Sequence, residues 1–130
     1  MKLSSGTGTE DKIELTHFEN LGDEGYKCQL ILISGPFTAN LEFWFDISSA
    51  KEVIKCLENI YGKPRTEARL SFRLEEPYIQ FKGDGLGHVM VSGLLTYGPP
   101  FHRLEFIFQS DQTLVPPFVD SLKSLIQPLA

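Results

Sequence analysis

The sequence has few of the features that usually reveal a protein's chemistry. It contains only two cysteines, Cys28 and Cys56, which are too few for a disulfide scaffold and lack the spacing of metal ligands. We interpret both as buried free thiols in a reducing compartment. No apolar run is long enough to cross a membrane, and residues 1–9 lack the apolar stretch of a signal peptide. These absences predict a cytoplasmic protein.

Basic charge is also scarce. The chain has 12 Lys and Arg against 17 Asp and Glu, for a formal net charge of -5. A broad nucleic-acid footprint needs clustered basic side chains that displace counterions, so no nucleic-acid partner is expected. Acids dominate the first 24 residues, where they are Glu10, Asp11, Glu14, Glu19, Asp23 and Glu24. This excess favours solubility and a basic partner.

Motifs for catalysis or metal binding are missing as well. His17, His88 and His102 have no ligand-type spacing, so we predict no catalytic residue, no metal and no cofactor. The glycine-rich segment from Gly83 to Gly87 resembles a phosphate loop, but a strand-like run follows it where a helix is required. It is better interpreted as a hairpin turn. One alternative stays open: a small-ligand-binding or enzymatic domain with a cleft near His88 and His102.

Regular alternation of apolar and polar side chains is what the sequence has instead. From Phe37 to Asp46 nearly every second residue is apolar, which predicts a strand with one buried face. Residues 12–18 alternate weakly, and similar runs cover residues 67–74, 78–82 and two segments between 88 and 110. Residues 26–34 are apolar on both faces, which predicts a strand covered on both sides, at least near its end. A helix capped by Ser48 or Ser49 and ended by Gly62 separates them, and a second begins near Thr113.

These elements predict an α+β fold. About seven strands form a mostly antiparallel sheet in the order βββα-ββββα, with two helices packed on one face. Residues 1–11 are expected to form a flexible polar leader, and residues 12–130 a single α+β domain.

The polar face of the predicted sheet is the candidate binding surface. It combines aromatic and charged side chains, which is typical of protein interfaces, unless a loop or the N-terminal segment covers it. The predicted partner-binding residues are Trp44, Glu42, Asp46, Arg69, Arg73 and Tyr78. A homo-oligomer in which this face pairs with itself is a further alternative.

Several short segments together resemble the WapI-like immunity proteins over about residues 12–127. They are Phe43-Trp44-Phe45-Asp46, Ala68-Arg69-Leu70, Gly87-His88-Val89, Leu104-x-Phe106-x-Phe108 and Asp111-Gln112-Thr113-Leu114. The resemblance implies a small bacterial cytoplasmic protein that neutralises the toxic C-terminal domain of a wall-associated or contact-dependent toxin by occluding it. The resemblance supplies no catalytic motif, and we expect a protein without enzymatic activity that is a monomer or weak homodimer. Because toxin-facing residues vary in such families, the resemblance does not locate the interface.

The charge of the chain agrees with this resemblance. A toxin that is a nuclease must bind RNA or DNA and is therefore basic. A negatively charged inhibitor would capture such a toxin faster, because opposite charges steer the encounter of the two proteins.

Overall fold

The computed structural model describes residues 1–60, 66–73, 76–98 and 102–127. Within these ranges the elements follow the order β1 (Lys2–Ser4), β2 (Lys12–Asn20), β3 (Tyr26–Ser34), β4 (Phe37–Phe45), α1 (Ile47–Glu58), β5 (Glu67–Ser71), β6 (Tyr78–Gly83), β7 (His88–Tyr97), β8 (His102–Asp111) and α2 (Val115–Ile126). A short 3-10 helix, Gly22–Glu24, precedes β3. The α+β class and the predicted order are confirmed, with one additional strand at the start.

The strands are divided between two antiparallel sheets of four. Sheet 1 has the order β1-β2-β3-β4 and sheet 2 the order β5-β6-β7-β8. Two backbone hydrogen bonds join the sheets: Asp46 N–H donates to the Ser71 carbonyl (3.0 Å) and Gly6 N–H to the Gln109 carbonyl (2.8 Å). The end of β4 therefore adjoins the end of β5, and the segment after β1 adjoins β8.

Strand β1 lies in the segment for which the sequence predicted a flexible leader. Leu3 pairs with Ile13 of β2 and is fully buried. Further along, the Asp11 carboxylate accepts a hydrogen bond from Gly35 N–H at 2.8 Å. A strand of three residues with one apolar side chain is too short to show an alternating pattern, which explains why periodicity did not predict it.

Helix α1 begins after Asp46, so the prediction that Ser48 or Ser49 caps it was wrong. Asp46 has extended backbone angles, and its carboxylate accepts a hydrogen bond from Ser49 N–H at 2.7 Å. Ser49 is instead buried, and its hydroxyl donates to the Ser71 carbonyl at 2.8 Å. The predicted end of the helix at Gly62 lies outside the described residues.

Helix α2 begins at Val115, two residues after the predicted Thr113. Pro116 and Pro117 lie in its first turn, as expected for residues without an N–H group. Before the helix, the Asp111 carboxylate accepts hydrogen bonds from the Thr113 N–H (2.9 Å) and hydroxyl (2.6 Å). These bonds shape the turn that leads from β8 into the helix.

Each helix packs mainly against elements from the other half of the chain. Helix α1 follows sheet 1 but packs against β5 and β6 of sheet 2, while α2 packs against α1 and β1. The Tyr26 hydroxyl of β3 donates to the Leu125 carbonyl of α2 at 2.7 Å. One apolar core forms between sheets and helices, and its largest fully buried side chains include Phe43, Phe45, Phe81 and Phe118. In the described part of the chain, no helix is long and apolar enough to cross a membrane.

Candidate functional site

Trp44 lies in a groove where the two sheets adjoin. Its neighbours Phe43 and Phe45 are buried, whereas Trp44 is on the outer face of β4 and is 37% exposed. The groove has a volume of about 340 Å³. Its lining residues are Leu21, Glu24, Trp44, Phe72, Glu76 and Pro77. We call this the Trp44 groove; it combines aromatic side chains with two carboxylates.

Glu42 shares the outer face of β4 with Trp44. Lys27 of β3 pairs across the strands with Trp44, and its Nζ lies 3.3 Å from Glu19 and 3.9 Å from Glu42. Since these side chains are substantially exposed, water screens the ion pairs and each contributes little to stability. The charges remain available to a partner that approaches the groove.

Asp46 is half-buried and holds the backbone beside Phe72, which lines the groove. One carboxylate oxygen accepts from Ser49 N–H, and the other accepts from Arg73 N–H at 2.8 Å. Arg73 has a φ of 55°, a left-handed conformation that is unfavourable for a residue with a side chain. The Asp46 hydrogen bond stabilises this conformation and thereby places the adjacent Phe72. The structure thus gives Asp46 a positioning role.

The remaining predicted residues, Arg69 and Tyr78, lie together on the outer face of sheet 2. The Arg69 guanidinium lies 4.0 Å from the centre of the Tyr78 ring, and its Nε donates to Gln80 Oε1 at 2.8 Å. Gln80 in turn donates to Glu67 at 2.9 Å. Because Tyr78 directly follows Pro77, this ordered cluster is next to the Trp44 groove.

A larger cleft was not predicted from the sequence. It has a volume of about 760 Å³ and lies between the β3–β4 turn and sheet 2, with Tyr78 among its lining residues. Phe37 and Ile107 also line this cleft and are 61% and 60% exposed. We call it the Phe37 cleft. The alternating pattern of β4 predicted that Phe37 lies in the core. Only its position next to the Gly35-Pro36 turn indicates that Phe37 is at the end of the strand, beyond the part of the sheet that packs on the core.

A third groove, of about 300 Å³, continues along β4. It lies between residues 38–41 of β4 and the paired ends of β7 and β8, where Tyr97 is 69% exposed. Exposed apolar side chains that cluster in this way are typical of protein-interaction surfaces. The first five residues of β4 therefore contribute to two grooves, because Phe37 lines the Phe37 cleft and residues 38–41 line this third groove.

The two histidines of the alternative hypothesis do not share a cleft. In the hairpin of β7 and β8, His88 pairs with Asp111 at one end and His102 pairs with Tyr97 at the other. A ten-residue strand separates these ends by roughly 30 Å. His88 Nδ1 lies 2.9 Å from an Asp84 oxygen, and the hydrogen bonds to Leu86 N–H and to His88 hold the pKa of Asp84 below its ordinary value. The structure therefore does not bring the two histidines together, and His102 lines the third groove without His88.

The two thiols are buried, as predicted. Burial raises the pKa of the Cys28 thiol to about 12 and also raises the pKa of Cys56. At neutral pH neither forms the thiolate that acts as a nucleophile. Among the described residues, no group of three His, Cys, Asp or Glu side chains is arranged to hold a metal ion.

Comparisons with known proteins give one family. The model of the immunity protein WapI-like family matches residues 3–130, which is nearly the whole chain. The match includes both sheets and both helices, and it extends beyond the resemblance seen in the sequence into β1. No curated protein and no solved structure matches the chain.

Proposed function

Because the chain belongs to the WapI-like immunity protein family, we propose that it binds a cognate bacterial toxin domain in the cytoplasm and neutralises it by occlusion. The family match over residues 3–130 is the observation on which this proposal depends. Membership of an immunity family suggests a protein that acts by binding rather than by catalysis. The partner we propose is the C-terminal toxic domain of a larger secreted protein.

The Trp44 groove, the Arg69–Tyr78 pair and the Phe37 cleft together form our proposed binding surface. A stable interface buries roughly 800 Å² on each partner, which is more than one small groove supplies. Tyr78 lies between the two concave features, since it lines the Phe37 cleft and directly follows Pro77 of the groove. Aromatic and Arg side chains are the residue types that dominate binding energy in such surfaces.

A nuclease is the class of toxin that best fits the charge of this chain. The net charge of -5 favours a basic partner, and an enzyme that binds nucleic acid needs a basic surface. Occlusion of that surface would block the access of RNA or DNA. The chain would do so as a monomer or weak homodimer.

Co-expression with the toxin domain encoded by the neighbouring reading frame tests this proposal. Bacteria that produce the toxin domain alone should stop growing, and the same cells with this chain should grow normally. The purified proteins should form a complex at micromolar or lower concentration in a titration calorimeter. Absence of both rescue and complex would overturn the proposal.

An experiment with the same purified proteins distinguishes neutralisation by occlusion from an enzymatic mechanism. Toxin recovered from the complex by denaturation and refolding should have its original mass and full activity. A covalently altered toxin would instead show that this chain acts on it as an enzyme.

A further inference from the structure

We infer that the Trp44 groove receives a basic side chain, Arg or Lys, from the bound toxin domain. This inference rests on the proposed function, and it names the chemistry of one contact in the interface. The groove volume of about 340 Å³ is at the lower end of the range for ligand sites. It therefore suits one or two side chains better than a cofactor or nucleotide.

The lining of the groove matches the chemistry of a cation. Trp44 and Phe72 provide aromatic rings, and an indole is the ring that attracts a cation most strongly through its negative face. Glu24 and Glu76 provide carboxylates at the same groove. A guanidinium or ammonium group placed there would combine contact with the indole and charge-assisted hydrogen bonds.

Neighbouring parts of this surface already hold cations on aromatic rings. The Arg69 guanidinium lies 4.0 Å from the centre of the Tyr78 ring, and that of Arg73 lies 5.1 Å from the centre of the Phe72 ring. Within the described part of the chain, the Trp44 ring has no such partner. Of the two aromatic rings that line the groove, Trp44 is thus the one left for a cation from outside.

The charges around the groove leave an unbalanced carboxylate. Arg103 lies 3.3 Å from Glu76, and Lys27 is shared between Glu19 and Glu42. Glu24 has no ion-pair partner among the described residues, and it lines the groove together with Trp44. Because Arg73 lies over Phe72 and repels a second cation there, we place the incoming charge between Glu24 and the Trp44 ring.

Fluorescence of the free protein tests this inference without the toxin. Trp44 is the only tryptophan in the chain, so its emission reports the groove alone. N-acetyl-arginine amide should change the emission saturably in the millimolar range, and the change should weaken as salt increases. N-acetyl-citrulline amide has the same shape without the charge and should leave the emission unchanged. Equal responses to both compounds, or no saturable response, would overturn the inference.

Charge variants provide the matched control. The double variant Glu24→Gln/Glu76→Gln should weaken the arginine response at least fivefold. The double variant Glu10→Gln/Glu14→Gln removes the same charge from residues outside the groove and should behave as wild type. Equal losses in both variants would mean that net charge, and not the groove, produces the response.

Measurements of binding to the toxin domain distinguish the groove inference from the proposed function. Trp44→Ala should raise the Kd of the complex ten- to a hundredfold, with Trp44→Phe in between, while circular dichroism confirms that both variants are folded. If wild type neutralises the toxin and these variants bind equally well, the groove inference is wrong and the proposed function stands. If wild type does not bind the toxin, the proposed function fails, and the arginine titration still decides what the groove accepts.

Discussion

At the scale of single residues, Asp46 shows how much a side chain's surroundings determine its role. The alternating pattern placed it at the end of the polar face of β4, which made it a candidate partner-binding residue. In the structure its carboxylate accepts two backbone N–H groups, those of Ser49 and Arg73. One side chain thereby caps α1 and also holds the segment after β5.

Replacement of Asp46 should therefore reduce stability. We expect Asp46→Ala to lower the free energy of unfolding by about 2 kcal/mol, because the helix loses its cap and a second N–H loses its acceptor. Asp46→Asn keeps a good capping side chain and should lose about half as much. Urea unfolding followed by circular dichroism measures both values. Ser48→Ala, at an exposed position, is the control, and an equal loss there would contradict this role for Asp46.

At the scale of secondary-structure elements, alternation predicted most strands, and the helical spacing of apolar residues predicted both helices. Strand β4 follows the pattern closely, because one of its faces packs on the core and the other meets solvent. Strand β1 could not be predicted, since three residues contain less than two periods of the pattern. The division into two sheets could not be predicted either. The alternating pattern shows which face of a strand is buried, but it does not show which strands pair with each other.

The Trp44 groove could be predicted only in part, because most of its lining residues lie outside the alternating strands. Trp44 and Glu42 stand out in the sequence as polar-face residues of one strand. Glu42 does not line the groove, and the partners of Trp44 there, which include Leu21, Glu24, Phe72 and Pro77, come from connections between strands that lie far away in the sequence. Such connections have no periodicity, and only the contact between the sheets brings them together.

Strand β1 should be essential for stability despite its length. Leu3 is fully buried against β2, so we expect Leu3→Ala to lower the free energy of unfolding by about 2–5 kcal/mol. Lys2→Ala changes the exposed neighbour and should be nearly neutral. Thermal and urea unfolding of the two variants measure the difference. Comparable stability in both would support a dispensable leader.

At the scale of the whole molecule, the crossed packing of the helices connects the two halves. Each half consists of four strands followed by a helix, yet α1 packs on β5 and β6 and α2 packs on α1 and β1. Sheet 2 thus packs on the helix of the first half, and β1 and β3 of sheet 1 contact the helix of the second half. A preformed surface that spans both sheets depends on this connection.

The two halves should consequently unfold together. We expect a single urea transition with the same midpoint for Trp44 fluorescence, which reports the junction of the sheets, and for circular dichroism, which reports all elements. Amide hydrogens of β2 and of β7 should exchange with similar slow rates. Two separate transitions, or an early loss of protection in one sheet, would show that the halves are independent.

The burial of Cys28 and Cys56 has a consequence under oxidative stress. Oxidants attack the thiolate form of cysteine, and burial raises the pKa of both thiols, that of Cys28 to about 12. Both thiols should therefore be oxidised more slowly than exposed ones. An immunity protein of the proposed kind would then keep binding its toxin in a cell whose more exposed thiols are being oxidised.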